Sequence, residues 1–452
     1  MESVQTTRPH RGDELELRID RLAYGGAGVA RANGYVVFVR DAVPGDVVRA
    51  RISKSKRSFA EADAVELLDP SPDRVEPVAP HPGAPWQVLP YERQLEEKEA
   101  QVRDALERLG GFERPPVEPI VPAVQPLRYR NKVEYSFGAD EEGELVLGFH
   151  RRGRFDLIDD VSLDILASER VDGLREAVKE WCREEGLSAW DRRAQTGLLR
   201  NLVVREGRRT GQLQARVVTS PGAQFRAAAL AAAAPADSVL WTKAASVAET
   251  TRDGATERIK GQEKVEEELC GLTFRISPDA FFQTNTEMAE RLYGAAVELA
   301  GLSGRERVLD LFCGIGTIAL VLALDAREVW GVELVEQAVA DAIENARLNG
   351  VDNARFFAGD VRLAMRPLLE RAGRPDVVVV DPPRAGLSNK VVRRVLEAEA
   401  KRIVYVSCNP TTLAPNARQF VDAGYELRTV RPVDMFPQTP HIECAALLER
   451  AS

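Results

Sequence analysis

Cysteine is scarce. The chain has five in 452 residues (Cys182, Cys270, Cys313, Cys408 and Cys444), and no two form a C-x-x-C pair. Thiols scattered in this way exclude a disulfide framework and predict a cytoplasmic chain. Histidine is rarer still, at four residues, which argues against a histidine-rich metal centre. No apolar run approaches the roughly 20 residues a membrane-spanning helix needs, so no membrane is expected as a partner. Residues 1–20, MESVQTTRPHRGDELELRID, lack the apolar core of a signal peptide, which predicts no secretion. Cations are outnumbered as well. The net charge of −9 weighs mildly against nucleic acid as a partner, although bulk charge hides local patches.

What is present is ample for several domains. At 44% hydrophobic residues and 29% charged ones, the composition is that of a globular protein, and the length predicts about two to four domains. ELELRIDRL, GYVVFVRDAV, VVRARIS and AEADAVELL alternate and are separated by Gly/Pro turns, which predicts a small antiparallel, OB-like β-barrel over 8–68. Prolines 70, 72, 77, 80, 82 and 85 mark a linker. The spacing then predicts a helix over 91–109, with Leu95, Val102, Leu106 and Leu109 on its apolar face. NKVEYSFG, ELVLGFH, LRNLVVRE and LQARVVTS read as strands, so linker, helix and strands are grouped as a central α+β domain over 71–265. From 266 to 452 the pattern changes. VLDLF, VWGVEL, VVVVDPP and IVYVSCN alternate with helical stretches, which predicts a parallel, doubly wound, Rossmann-like α/β sheet.

Three segments carry chemistry. In VLDLFCGIGTIAL (308–320) a strand runs into Gly314 and Gly316 and then a helix, and glycine at such a turn lets the backbone approach a ligand closely. Glu333 ends the next strand, where an acid can accept bonds from ribose hydroxyls. D-x-x-C-G-x-G with no third glycine resembles motif I of class I S-adenosylmethionine methyltransferases more than a dinucleotide fingerprint. VVVVDPPRAGL ends a strand in Asp381-Pro382-Pro383, and YVSCNPTTL ends the next in Ser407-Cys408-Asn409-Pro410. Both therefore open at the carboxyl edge of the sheet, where α/β ligand sites lie. A cysteine there can act as a nucleophile if its surroundings favour the thiolate. The other four cysteines read as small buried hydrophobes.

FFQTN (281–285), LDLFCGIG, DPPRAGL, SCNP and HIECAALL (441–448), in this order, resemble the TRAM-domain RNA uracil-5-methyltransferases, and the barrel resembles the TRAM domain itself. The resemblance implies S-adenosylmethionine as cofactor, contacted by Gln283, Phe312, Glu333 and Asp381, with Thr317 and Asp360 as further candidates. It implies Cys408 as nucleophile, Glu443 as general base and structured RNA (rRNA or tRNA) as substrate, with no obligate protein partner evident. Many members carry four cysteines for an iron–sulfur cluster. The matching positions here are His81-Pro82-Gly83-Ala84 and Ser162, so no cluster is expected. Arg-Asp after SCNP is replaced by Pro415-Asn416.

Four basic runs, 49–58, 127–132, 150–154 and 205–209, are candidate phosphate contacts. Two alternatives stay open. One is an RNA cytosine-5-methyltransferase, which usually has Pro rather than Ser before the nucleophilic cysteine. The other is a non-catalytic RNA-binding protein on the same fold, in which Cys408 or Glu443 would have been lost.

Overall fold

A computed structural model describes residues 8–221, 225–244, 246, 251 and 254–451. The N-terminal barrel sheet has six strands in the order Glu14–Arg18, Val47–Ser55, Phe59–Asp69, Tyr35–Arg40, Gly28–Ala32 and Arg21–Leu22. Strict alternation turns Val37, Val39, Ala50, Ile52, Ala60 and Ala62 inward, and each is almost fully buried. One pairing departs from the antiparallel expectation: Tyr35–Arg40 runs parallel to Phe59–Asp69. The long strand Val47–Ser55 lies on the far side of Phe59–Asp69, so the chain crosses over before pairing again.

The helix forms over Tyr91–Arg108, but its buried face is not the apolar one. Gln94, Lys98 and Gln101 are buried beside Val102 and Leu106, while Leu109 is exposed. The reason lies some 340 residues away in the chain. The Lys98 ammonium donates to Asp434 Oδ1 at 2.5 Å and to the Phe436 carbonyl at 3.0 Å, and the Tyr91 hydroxyl donates to Asp434 Oδ2 at 2.8 Å. Gln94 and Gln438 exchange two bonds of 2.7 and 2.9 Å. A second polar knot fills the stretch around His81, where the resemblance had raised the question of a cluster. His81 Nε2 and Asp164 Oδ1 are 3.0 Å apart, and the Tyr135 hydroxyl donates to Asp164 Oδ2 at 2.7 Å. The Gly83 amide donates to His81 Nδ1, which leaves Nε2 as the donor to Asp164. No group of three or more His, Cys, Asp or Glu that could hold a metal occurs among the described residues.

The central sheet has seven strands, Lys132–Ala139 among its inner ones. Helices Glu169–Glu184 and Ala227–Ala233 supply Val171, Leu174, Val178, Cys182 and Leu230 to its core. The strand-like reading of this region names neither of these helices. The C-terminal sheet runs in the order Ala354–Ala358, Glu328–Glu333, Arg307–Leu311, Val377–Val380, Arg402–Ser407, Glu443–Arg450 and Tyr425–Val433. Its first five strands are parallel. Glu443–Arg450 instead runs antiparallel between its two neighbours, because the clamped loop 434–442 turns the chain back along the sheet. Cys270 is only half-buried, at the φ +52° turn of the hairpin Val265–Leu269/Leu272–Ile276. No helix among the described residues is long and apolar enough to cross a membrane.

Candidate active site

The glycine turn is built as its sequence requires. Phe312, Gly314 and Gly316 have φ of 68°, 54° and 84°, a left-handed path that brings backbone rather than side chain to the sheet edge. A Cβ on Gly316 would also sit 3.0 Å from Phe356 and 3.2 Å from Ala342. Above the turn lies a cavity lined by Phe281, Tyr293, Asp310, Phe312, Thr317 and Asp381. Glu333 holds its rim: Oε2 accepts from the Gly314 amide at 3.2 Å and Oε1 from the Val335 amide at 2.9 Å.

The electrostatics here are one-sided. Asp310 is fully buried, and neither carboxylate oxygen makes a well-formed hydrogen bond. Burial, then Asp381 and Glu333, push its pKa far up, and the Ala319 amide offsets this only in part. Burial pushes Asp381 up to about 7. Unpartnered buried carboxylates are costly, and a ligand bearing positive charge relieves that cost. The residues therefore fit a cofactor with a sulfonium and an ammonium group.

The strand ends that carry Cys408 and Glu443 lie beside this cavity. The antiparallel register pairs Ser407 with Cys444, so Cys408 and Glu443 sit one step further on at the same end of adjacent strands. Cys408 is half-buried and lies just before the helix Pro410–Asp422. That helix is capped by Asn409, whose Oδ1 accepts from Thr411 N and whose Nδ2 donates to the Arg384 carbonyl at 3.0 Å. Burial, then Glu443 and Asp381, push the Cys408 thiol up to about 11, while Arg384 pulls it down. Glu443 is buried and raised well above the usual carboxylate range by desolvation and then Asp381, again opposed by Arg384. The barrel also reaches this point, since the Tyr24 hydroxyl donates to the Cys408 carbonyl at 3.3 Å.

Of the residues expected from sequence, Phe312, Thr317 and Asp381 line one cavity and Glu333 supports its rim, with Cys408 and Glu443 adjoining. Gln283 is buried but does not line the cavity, and its main-chain carbonyl accepts from Asn131 Nδ2. Asp360 is not a lining residue. It caps the helix Val361–Ala372 and is ion-paired to Arg362. Sequence reading missed Tyr293, whose hydroxyl lies 3.2 Å from Thr317 Oγ1, and Tyr24 and Arg384 beside Cys408. It also passed over Asp310 as a site residue, although an acid inside an apolar strand was a readable signal. Asn416, at a departure from the family pattern, bonds Leu387 N, Leu387 O and the Tyr405 hydroxyl, and so anchors the loop that carries Arg384.

The basic runs are largely compensated. Arg49, Arg51 and Lys54 pair with Glu66, Glu14 and Glu61. Arg151, Arg152 and Arg154 pair with Asp159, Asp41 and Asp156, and Arg209 with Glu290.

The mixed seven-stranded sheet, the glycine turn and the acid at the next strand end together define a class I methyltransferase domain. Residues 252–451 match the family described as tRNA (uracil-5-)-methyltransferase, and residues 9–65 match the TRAM domain. The chain is 40% identical to an RNA methyltransferase of Gloeobacter violaceus, covering 97% of each chain. It is 37% identical to another from Halalkalibacterium halodurans, covering 99% of each. A crystal structure of Pyrococcus abyssi tRNA (uracil-54, C5)-methyltransferase with S-adenosyl-L-homocysteine superposes with a TM-score of 0.79. It is 30% identical and matches over 96% of this chain and 99% of that one. This chain belongs to the RNA uracil-5-methyltransferase family and is an S-adenosylmethionine-dependent enzyme.

Proposed function

We propose that the protein forms 5-methyluridine at a loop uridine of a structured RNA, tRNA or rRNA, in the cytoplasm, with Cys408 as nucleophile and Glu443 as base. The observation that carries this reading is the strand register: Cys408 and Glu443 end adjacent strands on the same edge as the acid-lined cavity. Uracil C5 is too weak a nucleophile to accept a methyl group unaided. Addition of the Cys408 thiolate to C6 generates an enolate whose nucleophilic carbon is C5. Phe312, Glu333, Asp381 and Thr317 would hold S-adenosylmethionine, which would supply an electrophilic methyl group; Gln283 and Asp360, the other two residues expected from sequence, do not line the cavity. After C5 is methylated, Glu443 removes the C5 proton, and the resulting elimination frees Cys408. A carboxylate whose pKa is raised by burial holds that proton well. It must first ionise, and positive charge in the cavity against Asp381 favours that. Arg384 does the same for the Cys408 thiolate.

The barrel and central sheet would hold the RNA while the target base leaves its stack. Ser407 before Cys408, where cytosine enzymes usually have proline, favours uracil over the cytosine alternative. Mapping 5-methyluridine in total RNA from a deletion strain and its complemented parent tests this directly. One or more uridines should lose the modification on deletion and regain it with the wild-type gene but not with Cys408→Ala. Loss of a methylcytosine instead would replace this reading.

A further inference from the structure

The outer face of the barrel carries two large aromatic rings where a solvated sheet needs none. Alternation along Tyr35–Arg40 buries Tyr35, Val37 and Val39 and turns Phe38 and Arg40 outward. On the parallel neighbour strand, Phe59 and Glu61 face the same way, with Glu61 opposite Phe38. The Phe38 and Phe59 rings meet edge to face, their centroids 5.5 Å apart and their planes at 74°. They form the floor of an open groove of about 340 Å³, walled by Tyr24, Arg40, Glu61 and Arg152. One wall comes from the central sheet, docked through Arg152 to Asp41 at 2.9 Å. Another is Tyr24, whose hydroxyl reaches the Cys408 carbonyl, so the groove begins where the reaction site ends.

Charge on this face points to one kind of occupant. Glu61 is neutralised by Lys54 at 2.9 Å. Lys56 and Arg57, in the turn leading into Phe59, are exposed and are ion-paired to nothing among the described residues, unlike Arg49, Arg51 and Lys54. Exposed cations in the turn next to an aromatic pair suit an unstacked nucleotide, whose base stacks while its phosphate is neutralised. Extruding a uridine towards Cys408 leaves its neighbours without a stacking partner on one side.

We propose that the Phe38/Phe59 groove holds a nucleobase next to the target uridine in the RNA strand, with Lys56 and Arg57 against its phosphate. The inference rests on the reaction proposed above, and the two can fail separately.

The probe is an RNA hairpin with a uridine-containing loop, carrying 2-aminopurine at each loop position in turn. With wild-type protein, one or two positions adjacent to the target uridine should be quenched. The Phe38→Ala/Phe59→Ala variant should lose that quenching and raise KM for the hairpin about tenfold or more. Its S-adenosylmethionine affinity should be unchanged and its melting temperature should fall by only a few degrees, because both rings lie outside the barrel core and lose mainly their contact with each other. The Phe38→Trp variant should bind RNA normally, and the fluorescence of the introduced indole should be quenched on binding. Wild-type KM and quenching in the double alanine variant would overturn the groove while leaving the reaction intact. Quenching of the introduced indole in Phe38→Trp, with no uridine methylated by the wild type, would overturn the reaction while leaving the groove.

Discussion

Two regions of this molecule bury carboxylates, and they treat them in opposite ways. Asp164, in the knot between the linker and the central sheet, accepts from His81, Tyr135, Leu166 N and Ala167 N, which hold its pKa at about 2 despite burial. Asp310, at the cavity proposed for the cofactor, is just as buried, has no well-formed hydrogen bond and is pushed the other way. A buried charge given all its partners is architecture. One left without them imposes a cost that a ligand of opposite charge removes, which is how a binding site differs from a rivet. The same contrast separates Lys98–Asp434, fully buried and paired, from Glu443, at the far end of the same loop and unpaired.

The largest effect should come from the reaction end. Cys408→Ala should lower turnover by about 10⁴-fold or more in a radiolabelled methyl-transfer assay, because no other group in the motif can add to C6. Wild-type S-adenosylmethionine binding in the same variant would sharpen the separation between nucleophile and cofactor site. Next is the architectural acid. Asp164→Ala strands His81 and Tyr135 and should cost about 3–5 kcal/mol in denaturant unfolding. An unchanged cofactor affinity in the folded variant confirms that this acid serves only the fold. Glu333→Ala should act mainly on the ligand, weakening S-adenosylmethionine by about 1.5–3 kcal/mol in calorimetry, with an unfolding cost smaller than that of Asp164→Ala.

The last contrast is in pH dependence, where the two acids should slope in opposite directions. Asp381 is raised from 3.8 to about 7, so its contribution to stability is fully present below 3.8 and is lost as pH rises through about 7. Asp164 is depressed from 3.8 to about 2, so its contribution is present above 3.8 and is lost as pH falls through about 2. Relative to Asp381→Asn, the ligand-free wild type should therefore lose melting temperature between about pH 4 and 7, and S-adenosylmethionine should restore it. Parallel curves for the two proteins would contradict the contrast.

How much of this was readable in sequence follows the same division. The glycine turn, the D-P-P end and the SCNP end were legible as strand ends on one sheet edge, because each is set by residues adjacent in the chain. The helix face was not. Apolar spacing pointed to Leu95 and Leu109, but Gln94, Lys98 and Gln101 are buried because the loop 434–438 folds onto them. The basic runs misled for a related reason, since Arg49, Arg51 and Lys54 meet acids on the neighbouring strands. Tyr24 could not be read at all: only the docking of the barrel brings its hydroxyl to Cys408.

The central claim is that Cys408 and Glu443 act in succession on one base, and it is tested most directly by mass spectrometry of Glu443→Gln incubated with S-adenosylmethionine and substrate RNA. Addition and methyl transfer precede the step that needs a base. The variant should therefore accumulate a protein–RNA adduct one methyl group heavier than the sum of its parts, linked through the peptide that contains Cys408. Turnover at the wild-type rate with no adduct, or a linkage through any other residue, would contradict the account.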